Sequence, residues 1–431
     1  MHDHAKAASM GGMPTRKPSG VASLSERPPS RLAEAEAFIA RSYATAVGIE
    51  EIEPTEALGR ILARDLIAGT DLPRFDASAV DGYAVRSEDV VPGKIARMTV
   101  IGRAAAGHPL SAKIGPGEAV RILTGAAVPA GADLVLMQED SRLEGDRLIL
   151  PPAAVGPTNI RRKGEDLAKG ATAIAKATRL GPGHLALAGA LHHTTISVYR
   201  RLKVALFSTG DELRGLREEI GPGQVADANR PMLGAMLRGM GCGVEDFGIL
   251  KDDPEAQIAA LIEAAERNDL IVTTGGASVG DEDHLTRVIR RRGYLEIWRL
   301  KIKPGKPVGI GDIDDCPILA LPGNPVAAAV TFLMLGTPLV ARLAGAGDLR
   351  PPVMRLPAFR EITKPPGRWE ALAARFVHEP GRPTAVEPLA KTGSAMLSAL
   401  AGAEGFITLP EETQRVRAGE TVELVLLPQP W

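Results

Sequence analysis

Between residues 198 and 347 short apolar runs alternate with helical patterns, and no other feature of the sequence restricts the fold so strongly. KVALFSTG, GVEDFGIL, DLIVTTGG and CPILALPG read as strands, and EIWRLKI and PVGIGDI as two more. Helical periodicity covers Asn229 to Met240, Pro254 to Arg267, the segment DEDHLTRVIRRRG with its glycine stop, and Pro325 to Ala344. Continuous apolar strands that alternate with helices imply a mostly parallel, doubly wound sheet. Such a sheet gathers the loops at the carboxyl ends of its strands, where ligands bind.

The flanking regions follow other patterns. Residues 1 to 30 are polar, rich in Pro, Ser and Gly and without period, so a disordered tail is expected there. Arg31 to Ala46 shows helical spacing, and Glu53 to Asp65 reads as a short helix with Thr55 as its N-cap. From about 83 to 158, short strands with Gly/Pro punctuation suggest a small β domain. LGPGHLALAGALHH is a Gly/Ala-rich helical stretch. Beyond Pro351 and Pro352, strands such as FITL and TVELVLL suggest a small β-barrel.

Composition narrows the function. A net charge of −1 argues against a general nucleic-acid binder. No apolar run has the length of a membrane span, and the start lacks the apolar core of a signal peptide. Cys242 and Cys316 lie far apart and outside any metal-ligand spacing, which fits a reduced, cytoplasmic protein. The histidines form no paired ligand set, and neither a GxSxG elbow nor a full Walker A motif is present.

Chemistry concentrates in five punctuated segments. FSTGDEL puts Ser208, Thr209 and Gly210 at a strand end, followed by Asp211 and Glu212; a turn with a capping acid explains this motif equally well. In TTGGASVGDED, Thr274, Gly275, Gly276, Ser278 and Gly280 form a loop whose N–H groups suit a phosphate. Asp281, Glu282 and Asp283 then open a helix, and acids beside a phosphate loop point to a bridging Mg²⁺. KIKPGKP supplies Lys301, Lys303 and Lys306 around a Pro-Gly turn, with Arg299 just before, and alternation puts Arg299, Lys301 and Lys303 on one face. LPGNP places Pro322, Gly323, Asn324 and Pro325 between a strand and a helix, where plain turn chemistry is the competing account. DASAVDGYAV offers Asp76 and Asp81 to a metal or a substrate. Elsewhere RILTGAAVPAGAD offers Thr124 and Gly125, and RRKGED offers Arg161 and Arg162 with Glu165 and Asp166, a set that equally suits an inter-subunit salt bridge.

Taken together, these motifs closely resemble the molybdopterin molybdenumtransferase family, the bacterial MoeA proteins and the C-terminal domain of gephyrin, from about Arg31 to Trp431. TGAxVPxGAD, RxxGEDxxxG, STGDEL, DxNRPML, GGxSVGxxD, KPGKP and LPGNP have counterparts, while Ala77, Val80 and Arg299 depart from the family pattern. The resemblance implies an elongated homodimer of multidomain α/β plus β subunits. Its domains would be a discontinuous helical dimerisation domain (31–53 and 159–197), an inserted β domain (54–158), a doubly wound molybdopterin-binding domain (198–347) and a C-terminal β-barrel (348–431). The implied site lies between the doubly wound domain of one subunit and the β domain of the other. The implied reaction inserts molybdenum from molybdate into adenylyl-molybdopterin, with Mg²⁺ present, and releases AMP. Carried over by motif, Asp81, Thr124, Glu212, Asp252 and Asp283 would be catalytic. Glu212, Asp283 and Asp81 would hold the metal, and Lys303, Lys306 and Arg161 would join the ligand site. The resemblance also implies contact with molybdopterin adenylyltransferase and with acceptor molybdoenzymes or their chaperones. A molybdopterin adenylyltransferase shares the doubly wound domain but normally lacks the β domain and barrel. A non-catalytic scaffold would need an added recognition domain that residues 1 to 30 are too short to supply.

Overall fold

The computed structural model describes residues 30–152, 158–251, 253–275, 292–305, 307–347, 350–390 and 393–428. The chain divides into two compact units: Gly48–Arg200, and the remainder, which joins the residues before Gly48 to those from Arg201 onward. Helix α1 (Leu32–Ser42) belongs to the second unit and buries Ala35, Phe38 and Ile39, the i, i+3, i+4 stripe expected of an amphipathic helix.

In the unit Gly48–Arg200, three short antiparallel pairs join segments distant in sequence. β1 (Ile49–Ile52) pairs with β12 (Ile196–Tyr199), β2 (Leu66–Ile67) with β11 (Thr172–Ile174), and β3 (Ala77–Ser78) with β10 (Ile160–Arg161). Helix α2 (Pro182–Ala190) lies between β11 and β12 in the chain. The β-rich stretch forms a six-stranded sheet in the order β7-β4-β6-β5-β9-β8. These strands are β4 (Gly82–Val85), β5 (Ala96–Ala104), β6 (Glu118–Ile122), β7 (Leu134–Met137), β8 (Arg142–Glu144) and β9 (Arg147–Leu150). Successive residues of β4 and β7 serve opposite faces: Tyr83, Val85, Leu134 and Leu136 pack into one cluster, Ala84 and Val135 into another.

One expectation fails here. Glu53–Asp65 is not a helix; only Pro54–Glu56 makes a single 3₁₀ turn. Gly59 adopts φ +74°, which ends any helix, and the residues beyond pair as extended chain, Ile61 with Arg179 and Leu62 with Val198. The apolar spacing of Ala57, Ile61 and Leu62 fits either structure over so short a run, and the partner segments decide it.

The second unit contains the doubly wound sheet, in the order β16-β13-β17-β21-β20-β18. Its strands are β13 (Lys203–Thr209), β16 (Gly243–Leu250), β17 (Leu270–Thr274), β18 (Gly293–Arg299), β20 (Pro307–Ile313) and β21 (Cys316–Leu321). The first four in that order are parallel, and β20 and β18 extend the sheet antiparallel at one edge. β17 and β21 are buried throughout, as their continuous apolar runs require. A small parallel pair, β14 (Leu213–Arg214) and β15 (Val225–Ala226), lies between β13 and helix α3 (Asn229–Gly239) in the chain. Helix α4 (Pro254–Arg267) starts with proline, is capped by the Asp253 carboxylate on the N–H groups of Glu255 and Ala256, and buries Gln257, Leu261 and Ala264. The apolar helix α5 (Pro325–Leu343) contains a π-helical turn at Phe332–Gly336. Against expectation it is long and apolar enough to cross a membrane, but 83% of its most apolar window is buried within the protein, as a core helix requires.

The C-terminal strands form a second sheet, β19-β24-β26-β28-β22, with β25 on the side of β24. They are β19 (Ile302–Lys303), β22 (Val353–Pro357), β24 (Trp369–Val377), β25 (Ala385–Pro388), β26 (Gly405–Leu409) and β28 (Thr421–Leu426), with a separate pair of β23 (Ile362–Thr363) and β27 (Arg415–Val416). A bridge between Ala358 and Val386 joins the residue after β22 to β25. β19 is the extension of β18 beyond Leu300, so one stretch of chain serves both sheets.

Candidate active site

The carboxyl ends of β13, β17 and β21 lie side by side because the strands are in parallel register, Ser208 beside Thr274 and Thr274 beside Leu321. The predicted loop residues Ser208, Thr209, Gly210, Thr274, Gly275, Pro322 and Gly323 therefore meet at one edge, as the sequence suggests. Two glycines are required there. Gly210 has φ +142°, and a Cβ on it would stand 2.4 Å from the Glu212 carboxylate, which folds back over it. Gly275 has φ +88°, and its Cβ would stand 2.4 Å from the Thr209 carbonyl oxygen. A Cβ on Gly323 would stand 3.7 Å from the Gly275 Cα, in ordinary contact, so the two segments are neighbours.

Asn229, at the start of α3, ties these ends together. Its Nδ2 donates to Thr274 Oγ1 at 2.7 Å and to the Gly323 carbonyl at 2.6 Å, and Thr274 Oγ1 donates to the Pro322 carbonyl at 3.0 Å. The capping of α3 falls instead to the buried Asp227, whose Oδ1 accepts from the N–H groups of Asn229 and Arg230. From sequence, Asn229 stood out only as part of the DxNRPML motif, at the start of the helix Asn229 to Met240. Ser208 Oγ, Thr273 Oγ1 and Asn229 Oδ1 are buried without a hydrogen-bond partner among the described residues.

Helix α5 begins with Asn324 and Pro325 of LPGNP, and the N–H of Val326 in its first turn donates to the Ser394 carbonyl at 3.0 Å. The Pro304-Gly305 turn leans on the same helix: a Cβ on Gly305 would stand 2.8 Å from Thr331 Oγ1. Leu300 and Ile302 are buried while Arg299, Lys301 and Lys303 are more exposed, which is the expected alternation. Lys301 is bracketed by backbone bonds, from its N–H to Ser30 and from Trp369 to its carbonyl. Lys303 Nζ lies 2.7 Å from Glu370 Oε1, a carboxylate almost entirely buried in the C-terminal sheet. Asp252, Gly276, Ser278, Gly280, Asp283 and Lys306 lie outside the described residues.

In the unit Gly48–Arg200, β4 and β6 pair so that Gly82 faces Ile122, which brings Asp81 to Thr124. Asp81 Oδ1 accepts from the Thr124 hydroxyl and from the Thr124 N–H, both at 2.7 Å. The hydroxyl bond first, then the N–H bond, with help from the charge of Arg121, hold this exposed carboxyl below the usual carboxylate range. Asp76 is likewise lowered, by the Lys163 N–H and the Arg162 guanidinium, so the Arg162 pair forms within one chain. Arg161 sits in β10, exposed, opposite Ala77. Among the described residues no three His, Cys, Asp or Glu side chains cluster as a metal cage. Mg²⁺ seldom needs one, since one or two carboxylates with substrate phosphates suffice, and the Glu212 carboxylate lies against Gly210 just beyond the end of β13.

Residues 30–191 match the MoeA N-terminal region (domain I and II), 205–342 a probable molybdopterin binding domain, and 355–427 the MoeA C-terminal region (domain IV). The chain is 37% identical over 378 residues to a molybdopterin molybdenumtransferase of Haemophilus influenzae, covering 87% of this chain and 93% of that one. A molybdopterin molybdenumtransferase of Staphylococcus aureus is 31% identical over 376 residues, with coverage of 86% and 89%. A crystal structure of a molybdopterin biosynthesis MoeA protein from Pyrococcus horikoshii superposes with TM-score 0.75 at 32% identity, over 94% of this chain and all of that one. With this similarity along nearly the whole chain, the chain belongs to the MoeA family of molybdopterin molybdenumtransferases.

Proposed function

We propose that this chain inserts molybdenum from molybdate into adenylyl-molybdopterin and releases AMP, yielding molybdenum cofactor. The observation that carries this reading is the 37% identity, over most of both chains, to a protein named for molybdenum transfer. The substrate is anionic at its dithiolene and phosphates. The loop backbones at Gly210, Gly275 and Gly323 are bare of side chains, which lets such a ligand approach closely. Ser208, Thr209 and Asn324 flank it, and Lys301, Lys303 and Lys306 supply positive charge. Pro322 and Pro325 stiffen the loop that leads into α5, and Arg161, in the segment 159–197, supplies a positive charge to a phosphate.

Asp81 is the group to orient the attacking water or a molybdate oxygen, since Thr124 favours its ionised form and fixes one of its oxygens. Glu212 and Asp283, with Asp81 arriving from the other subunit of the dimer, would hold a divalent cation such as Mg²⁺; when bound it supplies charge neutralisation at the phosphoanhydride. Asp252 joins them by its motif position. The chain acts as a cytoplasmic homodimer with the site shared between subunits, and it receives substrate from the adenylyltransferase and passes product to acceptor enzymes or their chaperones. Domain limits of 31–53 with 159–197, 54–158, 198–347 and 348–431 accompany this reading. The Ala358–Val386 bridge supports a closed barrel at the C-terminus.

The test is AMP release from adenylyl-molybdopterin by the purified chain, with and without molybdate and Mg²⁺. Molybdate-dependent release is expected. Tight binding without turnover would make the chain a carrier or scaffold and overturn the proposal.

A further inference from the structure

We propose that Asn229 is a positioning residue that ties the end of β17, at Thr274, to the Pro322-Gly323 turn and holds the carbonyl oxygens of Pro322 and Gly323 away from an anionic ligand. The inference rests on the function proposed above. A backbone loop offers an anion both attraction, from N–H groups, and repulsion, from carbonyl oxygens, so a loop that binds anions has to dispose of its carbonyls. Here the carbonyls of Pro322 and Gly323 are both taken by buried side chains, Thr274 and Asn229.

The polarity of this network is fixed. Thr274 Oγ1 gives its one proton to Pro322, so it accepts from Asn229, whose second Nδ2 hydrogen goes to Gly323. Turned over, the amide would set Oδ1 against the Gly323 carbonyl. The observed orientation leaves Oδ1 buried without a partner among the described residues, in a side chain only 7% exposed. An unpartnered buried acceptor is costly, so stability alone does not account for an amide here, whereas the tie between the β17 end and the Pro322-Gly323 turn does. Asp227 caps α3 and leaves Asn229 available for this contact, which spans 45 and 94 residues of sequence.

The test uses the full chain with Asn229→Ala, Asn229→Ser, Thr274→Val and the Asn229→Ala/Thr274→Val double variant. It reads adenylyl-molybdopterin affinity by equilibrium binding, KM and kcat for AMP release, and the melting temperature. Loops that hold the ligand equally in ground and transition states predict a rise in Kd and KM of about tenfold, with kcat within about threefold. The double variant should be no worse than the poorer single, because both break one network. A lower melting temperature with unchanged Kd and KM would reduce Asn229 to a structural role and overturn the proposal. Additive effects, or a fall in kcat at unchanged Kd, would overturn it too. If Asn229→Ala does not fold, the near-isosteric Thr274→Val and the smaller Asn229→Ser change decide the question. A wild-type chain that binds but does not release AMP would remove the proposed reaction and leave the Kd comparison to decide Asn229. One that neither binds nor turns over would remove both.

Discussion

Gly275→Ala is the substitution for which the structure yields the clearest magnitude. At φ +88° an alanine pays about 1–2 kcal/mol for leaving its allowed region. Its Cβ would also stand 2.4 Å from the Thr209 carbonyl oxygen, about 1 Å inside ordinary contact. That oxygen is backbone at the end of a buried strand, so no rotamer change relieves the overlap. Overpacking of this kind costs about 1–3 kcal/mol, and the sum is about 2–5 kcal/mol. In a unit this large each kcal/mol lowers the melting temperature by about 2 °C, giving a fall of about 4–10 °C. Gly367→Ala is the control: it has φ +93° with nothing within 4 Å of its Cβ, and so carries the backbone term alone. A loop displaced by about 1 Å should also lower kcat/KM for AMP release by up to about 100-fold, chiefly through KM. Thermal melting and steady-state kinetics read both effects. If Gly275→Ala melts no lower than Gly367→Ala and turns over normally, the close approach of the β13 and β17 ends is not what positions the site.

Other substitutions separate charge from packing. Thr124→Val removes the leading cause of the lowered Asp81 pKa. A depressed carboxyl contributes above its unfolded value and loses that contribution as pH falls through its folded value, so the acid limb of the rate profile should move to higher pH; an unchanged profile below pH 6 would refute the role of the pair. Asp312 is the reverse case, pushed up to about 6 chiefly by burial. Its favourable contribution is present below the unfolded value and lost as pH rises through about 6, so Asp312→Asn should stabilise at pH 8 but not at pH 4. The gain has a ceiling of roughly 3 kcal/mol from a shift of about two units, read by denaturant melts at both pH values. Lys303→Met strands the buried Glu370 carboxylate and should cost about 1–3 kcal/mol while raising KM, the half-exposed lysine keeping the loss below that of a fully buried pair. Adding Glu370→Gln should recover the melting temperature but not KM, and recovery of both would mean that Lys303 serves only the fold.

Much of the site was legible because its elements are local. Apolar runs announce buried strands, and Gly210 and Gly275 stand where the backbone takes a positive φ and comes close to a neighbour. Short periodicity misled at Glu53–Asp65, where apolar spacing fits helix and extended chain alike, and the contacts of Ile61 and Leu62 with distant segments decided the outcome. Asp81 and Thr124 were each chosen from their own motif, but that they meet depends on the register of β4 against β6. Glu370 and Ser394 gave no signal, since each acquires its role only where the C-terminal sheet meets Lys303 or the first turn of α5. Residue order thus determined which segments become strands, turns and helix starts, because propensity and burial act over a few residues. Only the tertiary structure decided which strand ends are neighbours, and with that which hydroxyls, amides and carboxylates pair, because those contacts join groups tens of residues apart that nothing local brings together.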